Sequence, residues 1–189
     1  MLGGGELVAA INVAPLTALA GPYHRYVLHR YIALALSSGS PLHILSGVPA
    51  RTAGGRFNLP GRFLTTYLAL DAITAQVEAE RITAPFVHVP VAGDLQAVLR
   101  LDDPRVTALL HLTPAELHAD WRFPNARGLE TTTQKLGHAV YASGRIEGVV
   151  YPSNVHPGGV CVAVFPERLL RGSSLKVDDP SRVILEQLP

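Results

Sequence analysis

The chain of 189 residues contains one cysteine, Cys161, which excludes an internal disulfide and a cysteine-rich metal cluster. Cys161 sits in the apolar run Val160-Cys161-Val162-Ala163-Val164-Phe165, where it reads as a small buried hydrophobe. Charge is also sparse: 16% of residues are Asp, Glu, Lys or Arg, and the formal net charge is +1. A nucleic-acid binder needs a larger clustered basic footprint, so direct DNA contacts are not expected. No uninterrupted apolar run reaches membrane-spanning length, and no membrane association is expected. The first residues lack a basic stretch and carry Glu6, unlike a secretory leader, so the expected compartment is the cytoplasm.

Common motifs are missing too. Gly3-Gly4-Gly5 lacks the spacing of a dinucleotide fingerprint, and there is no Walker A loop. Eight histidines occur without a His-Glu-x-x-His pattern, so no metal site is expected. Ser153 is not in a Gly-x-Ser-x-Gly elbow.

What the chain has in quantity is turn formers, 17 glycines and 15 prolines, together with 48% hydrophobic residues. Short elements and many turns follow, which argues against a helical bundle. The length suits one compact domain over residues 1–189. Residues 23–36 suit a helix or, in part, a strand, with a break at Ser37-Ser38-Gly39-Ser40-Pro41 and a short strand from Leu42 to Leu45. A glycine-punctuated loop over 52–62 precedes a strand at 63–70. Asp71 caps a helix over 72–82, with Ala72, Ile73, Ala75, Ala79 and Ile82 available for packing. Further strands are expected at 86–91, 148–151, 160–165 and 182–186. Helices are expected near 93–101, at 114–119 with Pro114 as first residue, and over 131–142. Strands mixed irregularly with helices predict an α+β fold with a mixed sheet.

Four residues carry candidate chemistry. Arg56, in Gly54-Gly55-Arg56-Phe57-Asn58-Leu59-Pro60-Gly61, offers a planar donor fork for diphosphate or carboxylate oxygens, and Asn58 can fix the loop. Tyr67 supplies a ring to stack on a flat heterocycle, with its hydroxyl as a second handle. Glu78, on the same helix side as Thr74, can hold ribose hydroxyls and support positive charge at an anomeric carbon. Ser153 follows Pro152 at a strand exit and can hydrogen-bond an amide or phosphate. Each also has an ordinary reading: a solvent-facing turn, a core ring, a surface acid, a strand-ending turn. Trp121, the single tryptophan, either packs a loop or joins a protein interface.

In order, Gly55-Arg56-Phe57-Asn58 with Pro60-Gly61, Thr66-Tyr67-Leu68-Ala69, Ala75 with Glu78, Gln134-Lys135-Leu136-Gly137 and Gly148-Val149-Val150-Tyr151-Pro152-Ser153 resemble the RES family, named for Arg, Glu and Ser, over about residues 23–186. The resemblance implies a domain similar to ADP-ribosyltransferases and diphtheria-type toxins. It also implies NAD as substrate rather than cofactor, and the toxin role in a bacterial type II toxin–antitoxin pair. The implied partner is an Xre-like antitoxin that obstructs the pocket and carries any operator binding; a homodimer within the complex is implied as well. Arg56, Tyr67, Glu78 and Ser153 inherit the principal site roles. A further Arg and Tyr are expected, from Arg25 or Arg30 and from Tyr26 or Tyr31, with Arg25 favoured. Two departures stand out: Phe57 where Trp is frequent, and a long interval between Glu78 and Ser153.

The leading expectation is cleavage of the nicotinamide–ribose bond, with Arg56 on the diphosphate, Tyr67 at the nicotinamide ribose, Glu78 on the ribose and Ser153 on nicotinamide. Water as acceptor makes a glycohydrolase, inorganic phosphate a phosphorylase, and a protein side chain an ADP-ribosyltransferase. A non-enzymatic binding module is the rival class.

Overall fold

The computed structural model describes residues 1–39, 43–79 and 84–189. In chain order the elements are α1 (Gly4–Val13), β1 (Thr17–Ala20), β2 (Tyr23–Leu28), α2 (His29–Ser38), α3 (Val48–Ala53), β3 (Thr66–Ala69), α4 (Ala72–Ala79), β4 (Phe86–Arg100), α5 (Pro104–Leu109), α6 (Pro114–His118), α7 (Arg122–Ala126), α8 (Thr132–Ala142), β5 (Gly148–Pro152), β6 (Val160–Val164), β7 (Ser174–Val177) and β8 (Gln187–Leu188). This is the expected α+β architecture with a mixed sheet. Among the described residues no helix is long and apolar enough to cross a membrane.

The strands join in the order β2-β3-β6-β5-β4-β7-β8, with β1 added on β4 and β2 also paired to β4. Most pairs are antiparallel; β4 and β5 run parallel. Strand β4 organises the sheet because its first half pairs with β2 and β7 and its second half with β5. Alternation along the strands sends side chains to two cores. One face packs Leu99, Val149, Tyr151, Cys161 and Ala163 against α1 and α8. The other packs Tyr23, Leu68, Val91, Val150 and Val162 with Ile32, Ile44 and Leu45.

Three helices begin where local chemistry demands. Thr113 and Glu116 form a reciprocal capping box on α6, and Thr131 and Gln134 form another on α8. Asp71 caps α4 through Thr74 N at 2.8 Å. Deep in the fold, Glu147 accepts from Gln96 N at 2.6 Å, Ala97 N at 2.7 Å and Leu170 N at 2.8 Å. Three backbone donors offset the desolvation of that fully buried carboxylate.

Several sequence expectations change. The helix expected near 93–101 is the second half of β4: Leu95 continues the buried set begun at Val89 and Val91, and beyond a register shift opposite β1 Val98 keeps that face while Leu99 turns to the other core. The strand expected at 182–186 is a turn, because the Asp179 carboxylate gathers the Ser181, Val183 and Ile184 amides and Arg182 takes a left-handed φ of 56°. Strand β7 was not anticipated, nor were α1, β1, α5 and α7. Within 23–36, strand gives way to helix at His29. The described part of the Leu42–Leu45 segment is not a strand; Ile44 and Leu45 are anchored by their amides donating to Glu186 at 2.6 and 2.8 Å. The loop expected over 52–62 starts two residues later, after α3 ends at Ala53. Ile73 is 64% exposed rather than packed. Leu42 and Ile82, and the Ser40-Pro41 part of the expected break, lie outside the described residues.

Helix α8 rests directly on the loop after α3. A Cβ on Gly137 would collide with the carbonyl oxygen of Phe57. Gly137→Ala is therefore expected to destabilise the fold by about 1–3 kcal/mol through overpacking, seen as a lower urea midpoint. Exposed Lys135→Ala on the same helix serves as the reference, with a midpoint near wild type; equal midpoints for the two variants would contradict this contact.

Candidate active site

A cleft of about 280 Å³ opens where the loop after α3 meets the ends of β3, β5 and β6. Arg56, Tyr67 and Glu78 line it, with Tyr151, Asn154 and Cys161. Ser153 joins through Glu78, donating its hydroxyl proton to Oε1 at 2.7 Å. The same Ser153 oxygen accepts from the amides of Val155 and His156 at 3.1 and 3.0 Å. Its hydroxyl is thus committed to the protein and orients the carboxylate; the expected direct contact with nicotinamide would require breaking that bond.

Arg56 is buried, at 5% exposure. Its guanidinium donates through Nη1 to Pro152 O at 3.4 Å and through Nη2 to Asn154 Oδ1 at 2.8 Å and to Leu117 O. It lies 4.9 Å from the centroid of the Tyr151 ring, a cation–π distance. Among the described residues it forms no ion pair, and its Nε is buried without a protein partner. Burial lowers its pKa, opposed first by Tyr151 and then by Glu78. Part of the donor fork expected to meet diphosphate or carboxylate oxygens is thus spent on protein carbonyls.

Tyr67 presents its ring to the cleft, but its hydroxyl is not a free second handle. It accepts from Phe57 N at 2.8 Å and donates to Asn58 Oδ1 at 2.8 Å. Burial raises this phenol well above its usual range, and Tyr151 likewise. The close approach explains Gly55, where a Cβ would stand 2.5 Å from the Tyr67 hydroxyl. Asn58 is fully buried, gives its amide to Ala50 O at 2.8 Å, and fixes the loop without lining the cleft. Gln134 completes the loop's support, donating to Gly55 O at 2.9 Å and to Asn125 Oδ1 at 3.0 Å.

The N-terminal candidates separate. Arg25 and Tyr26 border the cleft, while Arg30 and Tyr31 pair with each other on the exposed side of α2 and do not. Arg25 shares its strand face with Tyr23 and Val27, donates to Ile44 O at 2.6 Å, and is lowered to about 10 by burial, partly offset by Glu186. Tyr26 packs against His88, with ring centroids 5.1 Å apart. Glu80 and Arg81, which follow Glu78 closely in the chain, lie outside the described residues.

Sequence reading missed Tyr151, Asn154, Trp121 and Arg122 as cleft residues. Asn154 was visible beside Ser153; its Oδ1 bridges Arg56 to His118 Nδ1 at 2.6 Å. Among the described residues no group of three or more His, Cys, Asp or Glu side chains is placed to hold a metal ion.

Cys161 lines the cleft 4.0 Å from Glu78, yet burial and that carboxylate push its thiol up to about 12. At pH 8 it should react with iodoacetamide at least about a thousandfold more slowly than a free thiol, because little thiolate is present. Mass spectrometry of the timed reaction checks this, and rapid labelling of folded protein would contradict it.

No curated protein matches the chain. Among solved structures, a chain of the crystal structure of the M. tuberculosis MbcT–MbcA toxin–antitoxin complex is similar, with a TM-score of 0.70, 25% identity, and coverage of 93% of this chain and 91% of that one. The family described as RES domain matches residues 30–184, and the chain belongs to that family.

Proposed function

We propose that the cleft cleaves the nicotinamide–ribose bond of NAD, with water as acceptor, and that the chain is the toxin of a toxin–antitoxin pair. The observation that carries this reading is the Glu78–Ser153 contact of 2.7 Å beside the buried cation of Arg56, inside a RES domain. The likeness to a chain from a toxin–antitoxin complex supports the toxin role.

The chemistry asks little of a proton donor. Nicotinamide leaves as a neutral base, taking the electron pair of the C1′–N bond and discharging its pyridinium. Positive charge then develops on the ribose, where Glu78 opposes it at an orientation set by Ser153. Arg56 places its charge, and the donors left on its fork, toward the diphosphate. The rings of Tyr67 and Tyr151 wall the reacting end and exclude bulk water. A water attacks C1′ from the open face and gives its proton to Glu78, which passes it to solvent. Products are ADP-ribose, nicotinamide and a proton.

The partner we propose is an Xre-like antitoxin that covers the cleft, with two copies of this chain in the complex, acting in the cytoplasm, where NAD is plentiful. DNA contacts fall to the antitoxin. Inorganic phosphate in place of water would yield ADP-ribose-1″-phosphate from the same cleft.

Purified protein free of antitoxin should convert NAD to nicotinamide and ADP-ribose by mass spectrometry, with and without phosphate. Glu78→Gln should lower kcat by at least about a hundredfold at unchanged melting temperature. Unchanged NAD under both conditions would sink the reading; a phosphorylated product formed only with phosphate would replace the acceptor and keep the bond.

A further inference from the structure

The cleft has lining beyond the groups assigned to the scissile bond. Glu78 contacts Ser153 and Cys161. Arg56 is bonded to Pro152 O and to Leu117 O near the end of α6. From Leu117 the chain runs through Ala119 and Asp120 to Trp121 and Arg122, both of which line the cleft. One cleft therefore presents a carboxylate, a cation and an aromatic ring. A dinucleotide offers a nicotinamide ribose, a diphosphate and a second base to match them.

We infer that Trp121, backed by Arg122, forms a subsite on which the adenine of the dinucleotide stacks. The inference rests on the NAD reading above and assigns a further part of the same cleft. Trp121 belongs to neither hydrophobic core and is only partly buried, so the largest side chain available is placed at the cleft instead of in the interior. The Arg122 guanidinium lies over one face of the indole, 4.8 Å from the ring centroid, and the proposed base would stack on the other. Arg122 is exposed and, among the described residues, forms no ion pair. The Asp120 carboxylate is turned to the start of α7, accepting from Arg122 N at 3.1 Å and Phe123 N at 3.3 Å.

The platform is tied to the catalytic loop. Asn125 of α7 donates to Ala53 O at 3.2 Å and accepts from Gln134, which also holds Gly55 O. The ring and Arg56 are thereby fixed to one backbone segment, so the spacing between base and diphosphate sites is preset and little ordering is needed on binding.

Because Trp121 is the single tryptophan, its fluorescence reports this subsite directly. Wild-type protein titrated with AMP should show saturable quenching, and ribose 5-phosphate, which lacks the base, should not quench. Trp121→Ala should raise KM for NAD about tenfold or more, with kcat within about twofold, and Trp121→Phe should recover part of the loss. The preference in kcat/KM for NAD over nicotinamide mononucleotide should fall by the same factor. Absence of AMP quenching, or a Trp121→Phe and Trp121→Ala pair with wild-type KM, overturns the subsite. If Trp121→Ala does not fold, the titration of wild-type protein and Trp121→Phe decide. NAD left intact by wild type while AMP quenches would remove the cleavage reading and keep the subsite. NAD cleaved without AMP quenching would do the reverse.

Discussion

A buried guanidinium that, among the described residues, bonds no carboxylate is the constraint around which this protein is arranged. Arg56 has lost most of its water, and a cation in that position requires substitutes for hydration. Carbonyls of Leu117 and Pro152, the amide oxygen of Asn154 and the face of Tyr151 provide them, and they come from α6, the end of β5 and the turn beyond it. Satisfying one side chain thus brings together segments nearly a hundred residues apart. Among the described residues the positive charge is shared with neutral acceptors and not neutralised by an ion pair, so the cleft keeps an attraction for anions.

Around that cation the support is layered. Asn58 and the Tyr67 hydroxyl lock the loop from within, Gln134 holds its carbonyls from α8, and Gly137 lets the helix approach. The Ser153 hydroxyl, itself held by two amides, aims the Glu78 carboxylate. Sheet pairing of β5 and β6 then sets Tyr151 and Cys161 beside that carboxylate. The cleft side chains of Glu78, Tyr151 and Cys161 stand near strand and helix ends, while the loop that carries Arg56 is held by hydrogen bonds.

Elements with local signals were legible in the sequence. The cap at Asp71, the Thr113–Glu116 and Thr131–Gln134 boxes, and the apolar runs of β5 and β6 all lie within a few residues of the structure they specify. Features that depend on distant partners were not. Gly93 interrupts the alternation of β4, whose continuity is secured by β1, β5 and β7. The strand at 182–186 failed because one aspartate captured three amides. For the site, Arg56, Tyr67 and Glu78 line one cleft, whereas Asn58 fixes the loop without lining it, Arg30 and Tyr31 stand away from it, and the hydroxyl of Ser153 meets Glu78 instead of open cleft. Trp121 could not be placed from its neighbours, since its setting depends on Asn125 meeting the loop of Arg56.

Most direct for the central claim is a crystal structure of the Glu78→Gln variant with NAD bound. The account predicts the nicotinamide ribose within hydrogen-bond reach of residue 78, nicotinamide between Tyr67 and Tyr151, and the diphosphate against Arg56. A dinucleotide bound outside this cleft, or entering with its adenine end at residue 78, would contradict it.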